Sequence, residues 1–283
     1  MPPAQPEDHR VDAGFVRRDV DRYRGEAREH LQDAVAEEVP VAVVYNGTPF
    51  AVMMLTPAHY QDFALGFSFS EGLIGKPGDL LDVRVHERLE GVELAIQVDE
   101  RLLADRTGED HQRLLPGRSG CGLCGARTLE DAVRHPDPVP PGPNIDARTL
   151  ERALAALREA QPINSATGSV HAAAWVDATG GIRLVREDVG RHNALDKLIG
   201  AMLRADIDPR TGFLLITSRA SYEMVTKAAM ANISLMAAIS APTALAIHLA
   251  RSTGMTLVGF ARPGNHVVYT HPQRLLHADG VHA

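Results

Sequence analysis

The sequence predicts a protein of mixed α and β structure, with an α+β first half and an α/β second half. The first half combines a hairpin signal with one helical and one alternating apolar segment, and in the second half short apolar strands alternate with helices. That alternation is typical of a largely parallel sheet covered on both faces. Between the two patterns, residues 134–143 contain five prolines, so we expect a linker and a domain boundary near residue 140.

A β-hairpin is the clearest element of the first half. Asn46-Gly47 accepts the positive φ angles of a type I′ turn, and apolar runs at residues 41–45 and 50–55 flank it. Strict alternation of apolar residues at 92–98 predicts a half-buried strand farther along the chain.

Capping residues predict where helices begin and end. We expect Thr56-Pro57 to start a helix that Glu71-Gly72 ends, and Asp146 to cap the first helix of the second half. Three further helices are expected to begin near Arg191, Ser221 and Pro242. The strands expected in the second half are Val170–Val176, Ile182–Arg186, Phe213–Thr217, Leu235–Ile239, Thr256–Phe260 and Val267–Tyr269.

Composition and charge exclude several classes of function. The chain has 283 residues, a formal net charge of −7 and no basic stripe that would follow a phosphate backbone, so we expect no nucleic-acid partner. Residues 1–12 lack the features of a signal peptide and are expected to be a disordered tail. Polar residues interrupt the longest apolar stretch, Leu235 to Ile247, so we expect no membrane span and a cytoplasmic protein.

The two cysteines stand three residues apart, as Cys121 and Cys124 in the loop 117–125, whose four glycines predict mobility. In a reducing cytoplasm such a pair favours reactive thiols, and the nearby Arg118 and Arg127 would stabilise a thiolate. A nucleophilic or sulfur-carrying site is one interpretation. A redox dithiol, a structural disulfide, inert thiols and a zinc site completed by histidines are the alternatives.

Three predicted strand-to-helix junctions carry polar residues. Ligands of open α/β sheets bind at the carboxyl ends of strands, where helix N-termini offer unpaired N–H groups. The crowding of charged and polar residues at the first junction favours a binding site for an anionic ligand. Other polar residues have simpler interpretations: Asp196 and Lys197 as a solvated pair on a helix, and Ser221 and Thr243 as N-caps. His171 is interpreted as a histidine of the core. The polar residues of the junctions are Arg186, Glu187, Asp188, Arg191, His192 and Asn193 in the first, Thr217, Ser218, Arg219, Ser221, Tyr222 and Glu223 in the second, and Ser240 and Thr243 in the third.

Four segments follow one another along the chain: Ser119 to Gly125 with the cysteine pair, Glu187 to Lys197, Thr217 to Val225, and Ser240 to Thr243. Together they resemble the FdhD family of sulfur carrier proteins. The resemblance implies an enzyme, a sulfurtransferase that accepts sulfur from a cysteine desulfurase as a cysteine persulfide. It implies that the sulfur passes to the molybdenum cofactor, in its bis molybdopterin guanine dinucleotide form, for use by formate dehydrogenase. The resemblance also implies that the protein is a homodimer.

The resemblance also implies roles for individual residues. Cys121 matches the persulfide cysteine, Cys124 matches its partner, and residues 260–265 match the stretch assigned to the cofactor. GDP is expected to act as a partial mimic of that cofactor, and no metal site is expected. With the polar junctions included, the expected cofactor contacts are Phe260, Ala261, Arg262, Pro263, Gly264, Asn265, Asp188, Arg191, His192, Asn193, Ser218, Arg219, Ser240 and Thr243.

For the fold, the resemblance implies a cytidine deaminase-like, three-layer α/β/α cofactor-binding domain at residues 141–283. A smaller N-terminal α+β domain at residues 13–140 would carry the cysteine loop. A zinc deaminase is disfavoured, because no His-x-Glu precedes Cys121 in a usable position. Two rival functions remain: a dithiol oxidoreductase, and a cofactor-binding chaperone of formate dehydrogenase that transfers no sulfur.

Overall fold

The computed structural model describes residues 14–104 and 136–277 of the chain, called the first and second half below. The cysteine loop 117–125 and the predicted tail 1–12 lie outside the described residues, and the predicted domain division stays a prediction. Within the two described ranges, every helix is too short or too polar to cross a lipid bilayer.

Six strands and two helices make up the first half as described. In order they are β1 (Phe15–Arg24), β2 (Ala27–Ala36), β3 (Val39–Tyr45), β4 (Thr48–Leu55), α1 (Tyr60–Ser70), β5 (Leu80–Arg88), β6 (Gly91–Val98) and α2 (Glu100–Ala104). β1 and β2 form an antiparallel ribbon, and the other strands form a sheet in the order β4-β3-β6-β5. Alternate residues of β3 and β6, among them Val43, Leu94 and Ile96, are buried against α1.

Eight strands and five helices make up the second half as described. In order they are β7 (Ile145–Asp146), α3 (Ala147–Glu159), α4 (Pro162–Thr167), β8 (His171–Asp177), β9 (Ile182–Asp188), α5 (Arg191–Arg204), β10 (Gly212–Ile216), α6 (Tyr222–Met230), β11 (Leu235–Ala238), α7 (Ala244–Ser252), β12 (Thr256–Arg262), β13 (Asn265–Thr270) and β14 (Leu275–Leu276).

Six of these strands form one mixed sheet in the order β13-β12-β11-β10-β8-β9. β10 is parallel to β11 and β11 is parallel to β12, whereas the other three pairings are antiparallel. The prediction of a largely parallel sheet is therefore wrong. The reason is local: short turns join β8 to β9 and β12 to β13, and a short turn can only connect antiparallel neighbours.

Helices cover both faces of this sheet, which gives three layers. α5, α6 and α7 bury Leu195, Met224 and Leu249 against one face. α3 buries Leu150 on the opposite face, in a core that includes Phe213 of β10. The predicted mixed α/β class is confirmed.

Several local predictions are also confirmed. Asn46 and Gly47 have φ angles of 48° and 83° in the turn between β3 and β4. Asp146 caps α3, since its Oδ1 accepts a hydrogen bond from the Arg148 amide at 2.7 Å. The ribbon of β1 and β2 had no counterpart in the sequence predictions.

Two predicted helix starts are wrong. α1 begins at Tyr60, three residues after Pro57, with His59 as N-cap in the left-handed region. Thr56 instead contacts the second half, where its Oγ1 accepts a hydrogen bond from the Val189 amide at 3.1 Å. α7 begins two residues after the predicted start, at Ala244.

The two halves meet where α1 packs against α5. A Cβ atom on Gly66 would overlap the carbonyl oxygen of Asp196, and one on Gly200 would overlap the carbonyl oxygen of Asp62. The two helix backbones therefore touch directly. Only glycine permits such an approach at these two positions.

We predict that Gly66→Ala lowers the free energy of unfolding by about 1–3 kcal/mol, because the added methyl group meets backbone that cannot change rotamer. Urea unfolding followed by circular dichroism measures the loss. Gly78→Ala is the matched control, since apart from its two chain neighbours no described residue lies within 4 Å of a Cβ at that position. Equal stabilities of the two variants would contradict this account of the helix contact.

Candidate functional site

The three polar junctions lie along one edge of the six-stranded sheet. β10, β11 and β12 end at this edge because they are parallel. β9 ends there too, since β9 and β10 are both antiparallel to the intervening β8. The sheet thus brings the predicted junctions together and places the first residue of β8, His171, among them.

Backbone hydrogen bonds join the loops that follow β10 and β11 to each other and to Phe260 near the end of β12. The Ala220 amide donates to the Ala241 carbonyl at 3.2 Å, and the Thr243 amide donates to the Ala220 carbonyl at 3.0 Å. The Phe260 amide donates to the Ser240 carbonyl at 3.1 Å. The two loops and the end of β12 are therefore fixed relative to one another, and together they form one continuous surface.

Phe260 combines backbone strain with exposure. Its φ angle is 50°, a region that costs a non-glycine residue on the order of 1 kcal/mol, and 38% of its surface is exposed. The pairing of β12 with β13 is irregular between Gly259 and Arg262, and a Cβ on Gly259 would lie 2.7 Å from Pro242 Cδ. Strain of this kind is typical of ligand-binding loops, and the exposed ring can stack on a planar ligand.

The residues after Phe260 reach the surface in the turn from β12 to β13. Ala261 is buried, whereas residues 262–265 are exposed. The Gly264 amide donates to Glu151 Oε2 of α3 at 2.9 Å. The side chains of Arg262 and Asn265 can therefore contact a ligand, while Ala261 supports the turn from below.

Asp188, in the first junction, points inward. It is fully buried, and its Oδ2 accepts hydrogen bonds from Lys197 Nζ at 2.6 Å and from the Thr56 amide at 3.0 Å. Its Oδ1 accepts from the Gly190 amide at 2.8 Å and from Asn193 Nδ2 at 3.0 Å. Both oxygens are saturated, so Asp188 and Asn193 shape the site from beneath instead of making the predicted direct contact with a cofactor.

Asp196 and Lys197 are fully buried, so the prediction of a solvated helix pair is wrong. Burial lowers the pKa of Lys197. Asp196 accepts hydrogen bonds from Lys227 Nζ at 2.9 Å and from Ser70 Oγ at 2.6 Å. The apolar residues on both sides of this pair in α5 were the available signal of its burial.

Glu187 is the second acid of the first junction, and it also has a structural role. Its carboxylate accepts hydrogen bonds from the amides of Ile163 and Asn164 at 3.0 and 2.8 Å, in the first turn of α4. Arg186 donates from Nε to Asp62 Oδ2 of α1 at 2.8 Å. Much of the crowding at this junction therefore comes from contacts within the protein.

The first turns of α5 and α6 lie side by side at the edge. His192 Nε2 is 3.7 Å from Glu223 Oε2, and Ser221 Oγ donates to the same oxygen at 2.7 Å. The neighbouring His192, together with the Ser221 hydroxyl, lowers the pKa of Glu223 to about 2 despite burial. Burial, Arg191 and His192 lower the pKa of His171. The sequence analysis placed Glu223 in the second junction but not among the expected cofactor contacts, and it assigned His171 to the core.

The remaining predicted contacts differ in exposure. Arg219 is exposed, and Ser218 is buried with its hydroxyl donating to the Arg219 carbonyl at 3.1 Å. Ser240 is half-buried. Thr243 caps α7, as predicted, by accepting from the Ala246 amide at 3.3 Å. Ser221 occupies an N-cap position, but its hydroxyl bonds to Glu223 and does not cap α6.

The described part of the edge is suited to binding a ligand. It offers an exposed ring, arginine side chains and helix N-termini for stacking and hydrogen bonding. Within residues 14–104 and 136–277, no three His, Asp or Glu side chains gather closely enough to hold a metal ion. Cys121 and Cys124 lie outside these ranges, so their roles, and the alternative of a zinc site, stay predictions.

The chain is similar to known proteins over most of its length. The model of the FdhD/NarQ family matches residues 36–276. Sulfur carrier protein FdhD of Xanthomonas euvesicatoria pv. vesicatoria (strain 85-10) is 55% identical, over 95% of each chain. Sulfur carrier protein FdhD of Cupriavidus necator is 49% identical, over 91% of this chain and 89% of its own length.

A solved structure has the same fold. It is the crystal structure of a protein from Desulfotalea psychrophila that is described as a formate dehydrogenase accessory protein. It aligns with a TM-score of 0.71 at 22% identity and covers 93% of this chain and 99% of its own.

We predict that Glu223 makes stability depend on pH below about 5. Its pKa is about 2 in the folded state against an ordinary 4.5, so the stabilisation is complete above pH 4.5 and is lost as the pH falls towards 2. Between pH 7 and pH 3.5 the free energy of unfolding of the wild type should fall by about 1 kcal/mol because of this group. The Glu223→Gln variant should not show this decrease. Urea unfolding at both pH values measures it. Glu90→Gln, in the exposed turn between β5 and β6, should keep the wild-type dependence, and the same dependence in Glu223→Gln would refute the assignment.

Proposed function

Because the chain belongs to the FdhD/NarQ family, we propose that it is a sulfur carrier that supports a formate dehydrogenase. The relatives at 49% and 55% identity bear the name sulfur carrier protein FdhD, and the similarity runs over nearly the whole chain. The structural observation that supports this proposal is the continuous surface at the sheet edge, where the loops after β10 and β11 are hydrogen-bonded to each other and to the end of β12, which carries the exposed Phe260.

In this proposal Cys121 carries the sulfur. Its thiolate attacks the outer sulfur of a persulfide on a cysteine desulfurase, so that a new S–S bond forms on Cys121 and the desulfurase cysteine leaves as a thiolate. Cys124 then attacks Cys121 Sγ and expels the outer sulfur as hydrosulfide. The two cysteines are oxidised to a disulfide, and the two electrons they give up reduce the transferred sulfur.

The acceptor in this proposal is the molybdenum cofactor in its bis molybdopterin guanine dinucleotide form, bound as a substrate. Phe260 would stack on the guanine ring, and Arg262 would hydrogen-bond to its edge or to a phosphate. The exposure of both residues at the end of β12, beside the bonded loops, supports this placement. GDP, which contains the same base and a diphosphate, is proposed to bind at the same position.

The partners follow from this reaction. We propose a cysteine desulfurase as donor, a formate dehydrogenase as client, and a second copy of the chain, with all of them in the cytoplasm. The Desulfotalea psychrophila protein of the same fold is described as a formate dehydrogenase accessory protein, which supports the choice of client.

We predict that Cys121→Ala prevents sulfur loading and abolishes activation of formate dehydrogenase, because the persulfide has no attachment point. The purified protein is incubated with a cysteine desulfurase and L-cysteine, and sulfane sulfur is quantified by cyanolysis. Phe260→Ala should still take up sulfur, because its change is confined to the cofactor surface, but should fail to activate the client.

Three results would separate the rival functions. Loading of Cys121→Ala at the wild-type level would contradict the proposed attachment site. A wild type that forms a reversible disulfide but takes up no sulfane sulfur would indicate a dithiol oxidoreductase. A Cys121→Ala variant that still activates the client fully would indicate a cofactor-binding chaperone without sulfur transfer.

A further inference from the structure

Two histidines outside the polar junctions share a hydrogen bond. His266 Nε2, near the start of β13, lies 2.8 Å from the Nε2 atom of His277, which directly follows β14. The ring centres are 5.1 Å apart, and the ring planes differ by 21°. That separation of the centres is close to the largest that the N–N distance and two imidazole rings allow. The two nitrogens therefore point at each other, and the rings meet edge to edge.

A hydrogen bond between these two nitrogens needs a single proton. One Nε2 must donate an N–H while the other accepts with its lone pair, which two neutral rings in opposite tautomers, or one neutral and one charged ring, provide. When both rings are protonated, each Nε2 carries a hydrogen and two positive charges face each other. The contact is thus stable in the neutral and singly protonated states and is lost in the doubly protonated state.

The neighbouring elements contribute two acids and two arginines, so their charges balance. These residues are Asp146 of β7, Glu151 of α3, Arg262 of β12 and Arg274 before β14. Burial and the charge of His277 lower the pKa of His266, and Glu151 opposes this in part. The fold therefore stabilises the neutral form of His266. This stabilisation is complete above the ordinary pKa of 6.5 and is lost as the pH falls through the lowered, folded-state pKa.

The turn from β12 to β13, residues 262–265, directly precedes His266. The pairing of the two strands is irregular beside this turn, so the backbone ladder alone does not fix it. A side chain from another element holds the turn at one point, where the Gly264 amide donates to Glu151 Oε2 at 2.9 Å. The contact of His266 with His277 holds it at a second point.

His277 is attached to the body of the second half. β14, which ends one residue before it, pairs with β7, and Leu275 of β14 is buried in the same core as Val258 of β12. The bond between the two imidazoles therefore ties the turn 262–265 to a part of the structure that is packed in place. Losing that bond leaves the turn with one support fewer.

We propose that His266 and His277 are positioning residues, which hold the turn 262–265 for ligand binding at neutral pH and release it in acid, when both rings are protonated. Arg262 of this turn is a side chain that the proposed function assigns to the guanine nucleotide part of the substrate. The inference rests on that function and deepens it, because it makes nucleotide binding depend on pH through two residues that support the turn from outside.

Hydrogen exchange of the Gly264 amide in the full chain tests the support without any ligand. Between about pH 7.5 and about pH 5, the protection factor of this amide should fall about fivefold, as expected for the loss of one hydrogen bond. His277→Leu should show the low protection at both pH values. His277→Gln should keep the high protection at both, because the amide group of glutamine can donate to or accept from His266 and takes up no proton.

His248→Gln is the matched control, since it removes an exposed histidine of α7 and should reproduce the wild-type dependence on pH. Equal protection of Gly264 in the wild type, His277→Leu and His277→Gln at both pH values would overturn the proposal. A loss of protection in His248→Gln equal to that in His277→Leu would overturn it as well.

Calorimetric titration with GDP measures the consequence for binding. Each affinity is compared with that of His277→Gln at the same pH, which removes the titration of GDP itself. The wild type should bind as His277→Gln does at about pH 7.5, and about fivefold more weakly at about pH 5. The same pH dependence in both proteins would overturn the positioning role. If the protection of Gly264 changes as expected but GDP binds the wild type at neither pH, the nucleotide site of the proposed function is wrong and the histidine support stands.

Discussion

A fully buried ion pair between Lys197 and Asp188, both in the second half of the protein, binds the backbone of Thr56 in the first half. The two charged atoms are 2.6 Å apart, and Lys197 Nζ also donates to the Thr56 carbonyl of the first half at 2.9 Å. Removing two charges from water costs several kcal/mol per ion, and only complete hydrogen bonding offsets that cost. The turn that leads into α5 is shaped by this requirement, because the Gly190 amide is one of the donors that Asp188 needs.

A second buried cluster of charged side chains, centred on Lys227, also connects the two halves. Lys227 of α6 contacts Asp196 of α5 and Glu71 at the end of α1, and these two carboxylates outweigh burial and raise the pKa of Lys227. Because both ionic groups and the contact of α1 with α5 join the same two halves, the halves form a common framework.

Local patterns in the sequence predicted the structure correctly where neighbouring residues determine it. The Asn46-Gly47 turn and the Asp146 cap depend on neighbouring residues, and both form as predicted. The burial of Lys197 depends on Thr56 and Asp188, which are distant in sequence, and a helical pair of opposite charges has the same pattern whether it is solvated or buried. The polar junctions were predicted because ligands bind at strand ends. The inward orientation of Asp188, and the strained backbone and exposed ring of Phe260, are set by tertiary packing that one sequence does not reveal.

The central claim is that Lys197 and Asp188 act as one unit, and a double-mutant cycle tests it directly. The free energy of unfolding is measured in urea for the wild type, Lys197→Met, Asp188→Asn and the double variant. Each single change leaves a buried partner unpaired, so each should cost about 3–5 kcal/mol. The double variant should cost less than the sum of the single changes by about 2 kcal/mol or more. Additive effects, within about 0.5 kcal/mol, would show that Lys197 and Asp188 do not act as one unit.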